Sequence, residues 1–171
     1  IAWPAIISNI SLPLLGLVDA ALLGHLDSAR YLAAVALGGT ILSFVYWGFS
    51  FLRMGTTGLV ARALGAGDRD RMIDLLLQAS ALALVLAVLI VALQGLLIRL
   101  GFGAMQPAQS LRPLAEEYMS LRIMSAPAVL LTYAISGWFI GRQDTRWPMI
   151  VAVSTNASNL LLDVLFIVGL G

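Results

Sequence analysis

The sequence predicts an all-α fold, a polytopic bundle of five membrane-spanning helices. Three observations carry that expectation. Of 171 residues, 60% are hydrophobic and only 11% are charged, whereas an average soluble domain carries roughly 25% charged residues. Mean hydropathy is +0.95. The apolar residues gather into five runs, each near the ~20 residues a helix needs to cross about 30 Å of hydrocarbon. These runs are about twice as long as a barrel strand and show no two-residue alternation, which favours helices over a β-barrel.

Charge and cysteine content narrow the function classes. Ten arginines, no lysine and nine acids leave a net charge of +1, so the basic footprint of a nucleic-acid binder is missing. The apolar content excludes a disordered chain. With no cysteine, disulfides, thiolate metal sites and cysteine nucleophiles are excluded.

The runs can be justified in order. Ala2 to Gly24 is interrupted by short polar residues and Asp19. Tyr31 to Leu52 has no charge, and its pattern continues through Arg53 to Arg62 with no breaker before Gly65-Ala66-Gly67. Leu75 to Ile98 is also free of charge. Ile123 to Ile140 is preceded by a segment, Leu114 to Arg122, that extends the helix above the bilayer. Trp147 to Gly171 contains one charge, Asp163. Helices are expected at about 2–25, 31–64, 74–100, 112–141 and 147–170. Pro4, Pro13, Pro127 and Pro148 fall in or beside runs, where proline removes a backbone bond and bends the helix. The stretch Gly65 to Arg71 reads as a helix cap and a solvated turn, since it lacks the lysine and hydroxyl residue of a phosphate loop. Trp3, Trp138 and Trp147 suit an interfacial belt, and Trp47 is expected to pack between helices. Because the chain opens on Ile1 and closes at Gly171 as the fifth run ends, it is expected to be a piece of a longer polytopic protein.

Arginine placement orients the bundle. With a cytoplasmic N-terminus, the inner joints hold five arginines (Arg62, Arg69, Arg71, Arg142, Arg146) and the outer joints three (Arg30, Arg99, Arg112). That bias favours the N-terminus inside. Arg53 and Arg122 border runs and are expected to snorkel to an interface.

An ionisable residue deep in a span costs a few kcal/mol and marks function by default. Asp19 and Asp163 qualify. Asp19 lies 17 residues after Ala2 and Asp163 lies 16 after Trp147. At 1.5 Å per residue both sit roughly 24–26 Å from the inner face, on two parallel helices. Asn156, Asn159 and Asp163 are spaced i, i+3 and i+7 and share one helix face. Such a face must meet other helices or water rather than lipid. Two carboxyls close together in a low-dielectric pocket cannot both stay ionised. The pair can exchange a proton, or bind a small hard cation through carboxylate, amide and hydroxyl oxygens. A single aspartate also serves as hydrogen-bonding glue between helices. Two at one depth beside an asparagine stripe favour the ion site.

These residues resemble a known family. Pro13-Leu14-Leu15-Gly16-Leu17-Val18-Asp19, followed by Gly24-His25-Leu26, resembles the first helix of multidrug and toxic compound extrusion (MATE) transporters. Arg53-Met54-Gly55-Thr56-Thr57-Gly58 and Ala63 to Asp68 resemble the end of their second helix and the loop after it. Gly141 to Arg146 resembles the loop before their fifth helix, and Asn156, Asn159 and Asp163 resemble that helix. The elements His25-Leu26-Asp27 and Arg53 to Gly58 look most like the DinF branch. The resemblance implies the N-terminal lobe of a twelve-helix transporter, with the sixth helix and the C-terminal lobe outside this chain. It implies export of organic, often cationic, toxic compounds in exchange for H+ or Na+. It implies that Asp19, Asn159 and Asp163, with Asn156 on the same face, form the coupling-ion site. No cofactor is expected beyond that ion. The expected partners are the bilayer, small-molecule substrates and the C-terminal lobe, and the expected location is the bacterial inner membrane.

Two other classes compete. A flippase of lipid-linked precursors would need several basic residues in its cavity, and only Arg53 and Arg122 come near spans. An intramembrane aspartyl protease would need Gly-x-Gly before its second acid, where this chain has Leu160-Leu161-Leu162, so no enzyme activity is expected.

Overall fold

The computed structural model describes residues 29–163. Seven helices run through them: α1 (Ala29–Gly48), α2 (Phe51–Gly65), α3 (Arg69–Ala92), α4 (Gln94–Met105), α5 (Arg112–Ile123), α6 (Ala126–Gly141) and α7 (Arg146–Asp163). No strand occurs among the described residues. The chain divides into two compact units. One, Arg30–Gln143, holds α1 to α6, and α7 belongs to the other.

Two of the described helices are long and apolar enough to cross a membrane. The first, Arg30–Gly65, joins α1 and α2 into 36 residues, about 54 Å at 1.5 Å per residue. It is far longer than the ~30 Å hydrocarbon layer. At its middle the helix tightens: Phe49 and Ser50 donate to the carbonyls of Tyr46 and Trp47 at 3.0 Å, a three-residue spacing in place of four. The second is Arg69–Ala92. The pair α5 and α6, bent by 50°, makes a third if it is one span. The run from Ala2 to Gly24 lies outside the described residues.

The breaks between helices have local causes. After α2, Gly67 takes φ +71°, a left-handed conformation open to glycine at little cost. Its N–H donates to Leu64 O and that of Asp68 to Ala63 O, both at 3.0 Å. Those paired bonds satisfy the last carbonyls of the helix. Asp68 then caps α3, its carboxylate accepting from Arg71 N–H at 2.9 Å. This is the cap and turn expected from the sequence. Between α5 and α6, Pro127 can offer no N–H, and its ring opposes the carbonyl four residues earlier. That carbonyl belongs to Ile123, where α5 ends. The charge-free run from Leu75 to Ile98 is not one helix: α3 closes at Ala92, with Leu93 at φ −93°, ψ 10°, and α4 starts at Gln94. Gly95 next to the break has no Cβ and holds a helical backbone at a cost of roughly 0.8–1 kcal/mol relative to alanine, which weakens the helix at this joint.

Small residues bring α2, α3 and α6 together. The buried positions on α3 are Met72, Leu75, Ala79, Ala83, Ala87 and Ile90. On α6 they are Ala126, Leu130, Ala134, Gly137 and Gly141, and on α2 Leu52, Thr56, Val60 and Ala63. All three stripes follow the three- and four-residue spacing of a helix face. A Cβ on Gly137 would lie 2.6 Å from Arg53 O, and one on Gly141 would lie 2.7 Å from Val60 Cβ and 2.8 Å from Thr57 O. The backbones of α2 and α6 therefore meet directly, as small-residue pairs four apart allow in membranes. Met119, Ile123 and Leu130 fill the adjoining core.

Outside this core, large apolar side chains stand exposed. Phe44, Leu77 and Val88 are each more than 60% accessible, an outer surface suited to lipid or further protein. Trp47, expected between helices, is 73% exposed. Nothing in the helix pattern marked that face as outward, because α1 is apolar all round.

Gly137→Ala should destabilise the protein by about 1–3 kcal/mol, the cost of overpacking a closed contact. Gly95→Ala, where a Cβ meets nothing within 4 Å, should leave stability unchanged or slightly raised. Thermal unfolding of the two variants in detergent checks the difference.

Candidate functional site

The expected coupling residues fall on α7 and on the first run. Helix α7 is continuous from Arg146 to Asp163. Pro148 sits in its first turn, where a missing N–H costs nothing. The helical register places positions 156, 159 and 163 on one face. Asn156 is half-buried. Asp19 lies outside the described residues, as does His25.

Within Arg30–Gln143 the polar groups are few and mostly engaged. Thr56 is the buried polar residue there, and its hydroxyl donates to Leu52 O at 2.7 Å. Thr57 Oγ1 reaches both Arg53 O at 2.8 Å and Gly137 O at 3.1 Å, so it ties α2 to α6 beside the glycine contact. Trp138 Nε1 donates to Met72 O at 2.7 Å and ties α6 to α3. Arg142 stacks its guanidinium over the Trp138 ring at 4.4 Å. At the other end of α1, Arg30 donates to Ser110 O at 3.1 Å and fastens the loop before α5.

A second polar group surrounds the break between α5 and α6. The Tyr46 hydroxyl is buried there without a hydrogen bond, close to Ser125 and near Arg122, Tyr118 and Tyr133. Ser125 Oγ instead donates to Arg122 O at 2.7 Å. Arg53 places its guanidinium 6.0 Å from the Tyr133 ring centre. Arg53 and Arg122, expected at interfaces, are both exposed. Sequence reasoning missed this cluster. The available signal was tyrosine at 46, 118 and 133, near arginines at the borders of apolar runs. Among the described residues no group of three or more histidine or acidic side chains could hold a metal ion.

Comparison with known proteins follows the chain from end to end. Residues 4–165 match the family model described as MatE. DNA damage-inducible protein F of Escherichia coli is 42% identical over 99% of this chain and 37% of its own length. A probable multidrug resistance protein NorM of Thermotoga maritima is 31% identical over 99% of this chain and 36% of its own. A crystal structure of MATE superposes with a TM-score of 0.86 at 26% identity, over 98% of this chain and 38% of that one. A MOP superfamily transporter from Pyrococcus furiosus gives a TM-score of 0.87 at 26% identity, over 98% and 37%. The chain thus spans a little over a third of the length of these relatives.

Trp138→Phe removes one donor and leaves Met72 O without it. The expected loss is about 0.5–2 kcal/mol of stability, the range for a hydrogen bond between helices in a membrane. Thr57→Val should cost less, because the single hydroxyl proton it removes is shared between Arg53 O in its own helix at 2.8 Å and Gly137 O at 3.1 Å, so less bonding between helices is lost. Denaturant or thermal unfolding of both variants in detergent tests the ranking.

Proposed function

Because this chain belongs to the MatE family, whose members are transport proteins rather than enzymes, we propose that it forms five membrane spans of the N-terminal lobe of a cation-coupled exporter. The substrates are organic, often cationic, toxic compounds, and the coupling ion is H+ or Na+. The observation that carries this reading is the register of α7. Two amides and a carboxylate, Asn156, Asn159 and Asp163, share one face of a single helix in a chain with only 11% charged residues.

The mechanism follows from charge. Asp19 and Asp163 meet at one depth and hold the coupling ion with Asn159, while Asn156 extends the same face inward. Loading the ion neutralises the carboxyls and removes the main cost of burying them. The helix that carries Asp19 then repacks, and the compound site loses affinity. A pocket in the outer half of the bilayer loads from the exterior, as an exporter driven by inward ion flow requires. The bilayer around it is the bacterial inner membrane, with the N-terminus cytoplasmic. The multidrug resistance proteins among the relatives support export and do not favour the flippase reading.

In the intact protein, Asp19→Asn and Asp163→Asn should each abolish ion-driven export while leaving the fold in place. Efflux from proteoliposomes under an imposed H+ or Na+ gradient reads this, and full activity in either variant rejects the assignment. The convergence has its own test. This chain has no cysteine, so Asp19→Cys with Asp163→Cys, in an intact protein cleared of other cysteines, should be joined by a short bifunctional thiol reagent. Absence of cross-linking would separate the two carboxyls and end the shared-pocket mechanism.

A further inference from the structure

At the end of the bundle where α2 stops, α3 starts and α6 stops, a cleft of about 540 Å³ is lined by Leu64, Arg69, Met72, Ile73, Trp138 and Arg142. We propose that this cleft binds the phosphate headgroup of an anionic phospholipid. The argument has three parts.

The first is charge. Two guanidiniums face one cleft, and neither forms an ion pair among the described residues. The nearest acids in sequence are Asp68 and Asp70 beside Arg69 and Asp144 beside Arg142; none lines the cleft, Asp68 caps α3 by accepting from Arg71 N–H, and Asp144 accepts from Arg146 N–H. Two unpaired arginines in one concave site favour an anion, and the planar guanidinium matches a phosphate with two parallel hydrogen bonds.

The second is preorganisation. The Trp138 indole is held in place by its bond to Met72 O at 2.7 Å. Arg142 lies on the ring at 4.4 Å. Stacking occupies the face of the guanidinium and leaves its in-plane N–H donors for a ligand. The arginine fork is therefore positioned before the anion arrives, which cuts the ordering cost of binding.

The third is amphipathicity, which selects a lipid over a free phosphate ion. The remaining walls are Leu64, Met72, Ile73 and the indole, and Ile73 is 54% exposed. A free phosphate gains nothing from such walls, whereas a glycerol backbone and the first acyl carbons do. The cleft also sits at the start of α3, a helix long and apolar enough to cross a membrane, where Arg69 stands six residues, about 9 Å, before the charge-free run that begins at Leu75. That is the headgroup level, where basic pockets between helices recruit anionic lipid.

The test uses the intact protein in detergent, with phosphatidylglycerol and phosphatidylcholine as probes and native mass spectrometry as the readout. Wild type should retain phosphatidylglycerol several-fold over phosphatidylcholine. Arg69→Gln with Arg142→Gln should bring that ratio close to one, whereas Arg71→Gln, on the same turn but outside the cleft, should leave it unchanged. Arg142→Lys keeps the charge and loses the planar fork, so it should retain an intermediate amount; it covers the case in which the double variant fails to fold. Unchanged retention in the double variant and in Arg142→Lys overturns the proposal. Displacement of the lipid by millimolar inorganic phosphate also overturns it and assigns the cleft to the free ion.

Discussion

The backbone contact between α2 and α6 is the constraint on which the rest of Arg30–Gln143 depends. In lipid, burying a leucine against another helix gains little, because hydrocarbon tails are as apolar as leucine. Helices stay together through close van der Waals contact and hydrogen bonds between them. Gly137 and Gly141 supply the first by admitting α2 to less than 3 Å from where their Cβ atoms would be. Thr57 supplies the second by donating to Gly137 O at 3.1 Å. The Trp138 position follows. It sits one residue after Gly137, so its side chain is rotated about 100° away from α2 and reaches α3 at Met72 O. One short segment of α6 therefore fixes both neighbours.

The same logic explains the composition of α3. Its buried stripe is built on Ala79, Ala83 and Ala87, which lose no rotamer freedom on packing and let α6 approach. Its other faces carry leucine and valine toward the outside. A soluble helix would reverse that arrangement, placing its large residues inward and its polar ones outward. Here the small residues are inside because closeness stabilises the contact, and the large ones are outside because lipid accepts them.

How far the sequence could be read depended on the kind of signal. Turns written by special backbone chemistry were legible: Gly67 with Asp68 ended one helix and capped the next, and Pro127 was legible as a bend within the helix expected at 112–141, which the structure breaks after Ile123. The 36-residue length of Arg30–Gly65 was legible too, since no breaker interrupts it. The stop at Leu93 was not, because an apolar run looks alike whether it forms one helix or two. The outward face of Trp47 was hidden for a related reason. A helix that is apolar all round carries no record of which side meets protein. The Tyr46 cluster escaped because its members come from α1, α5 and α6 and share no local spacing. Of the candidate coupling residues, the common face of Asn156, Asn159 and Asp163 could be counted directly, whereas the proposed meeting with Asp19, which lies outside the described residues, depends on tertiary placement that no spacing encodes.

The coupled exporter proposed for the intact protein needs one part that responds to charge and another that does not. The helices of Arg30–Gln143 have the composition of the second kind. Where α2, α3 and α6 pack, the buried polar side chain, Thr56, is satisfied within its own helix, while the unbonded Tyr46 hydroxyl lies apart on α1, and the arginines stand at exposed positions. Taking up a proton or a small cation would change nothing in that packing. Helix α7 is of the first kind, since a carboxylate and two amides on one face make its preferred surroundings depend on whether the charge is present. Close glycine packing and titratable chemistry exclude each other locally, because a contact with no room for a Cβ has no room for an ion.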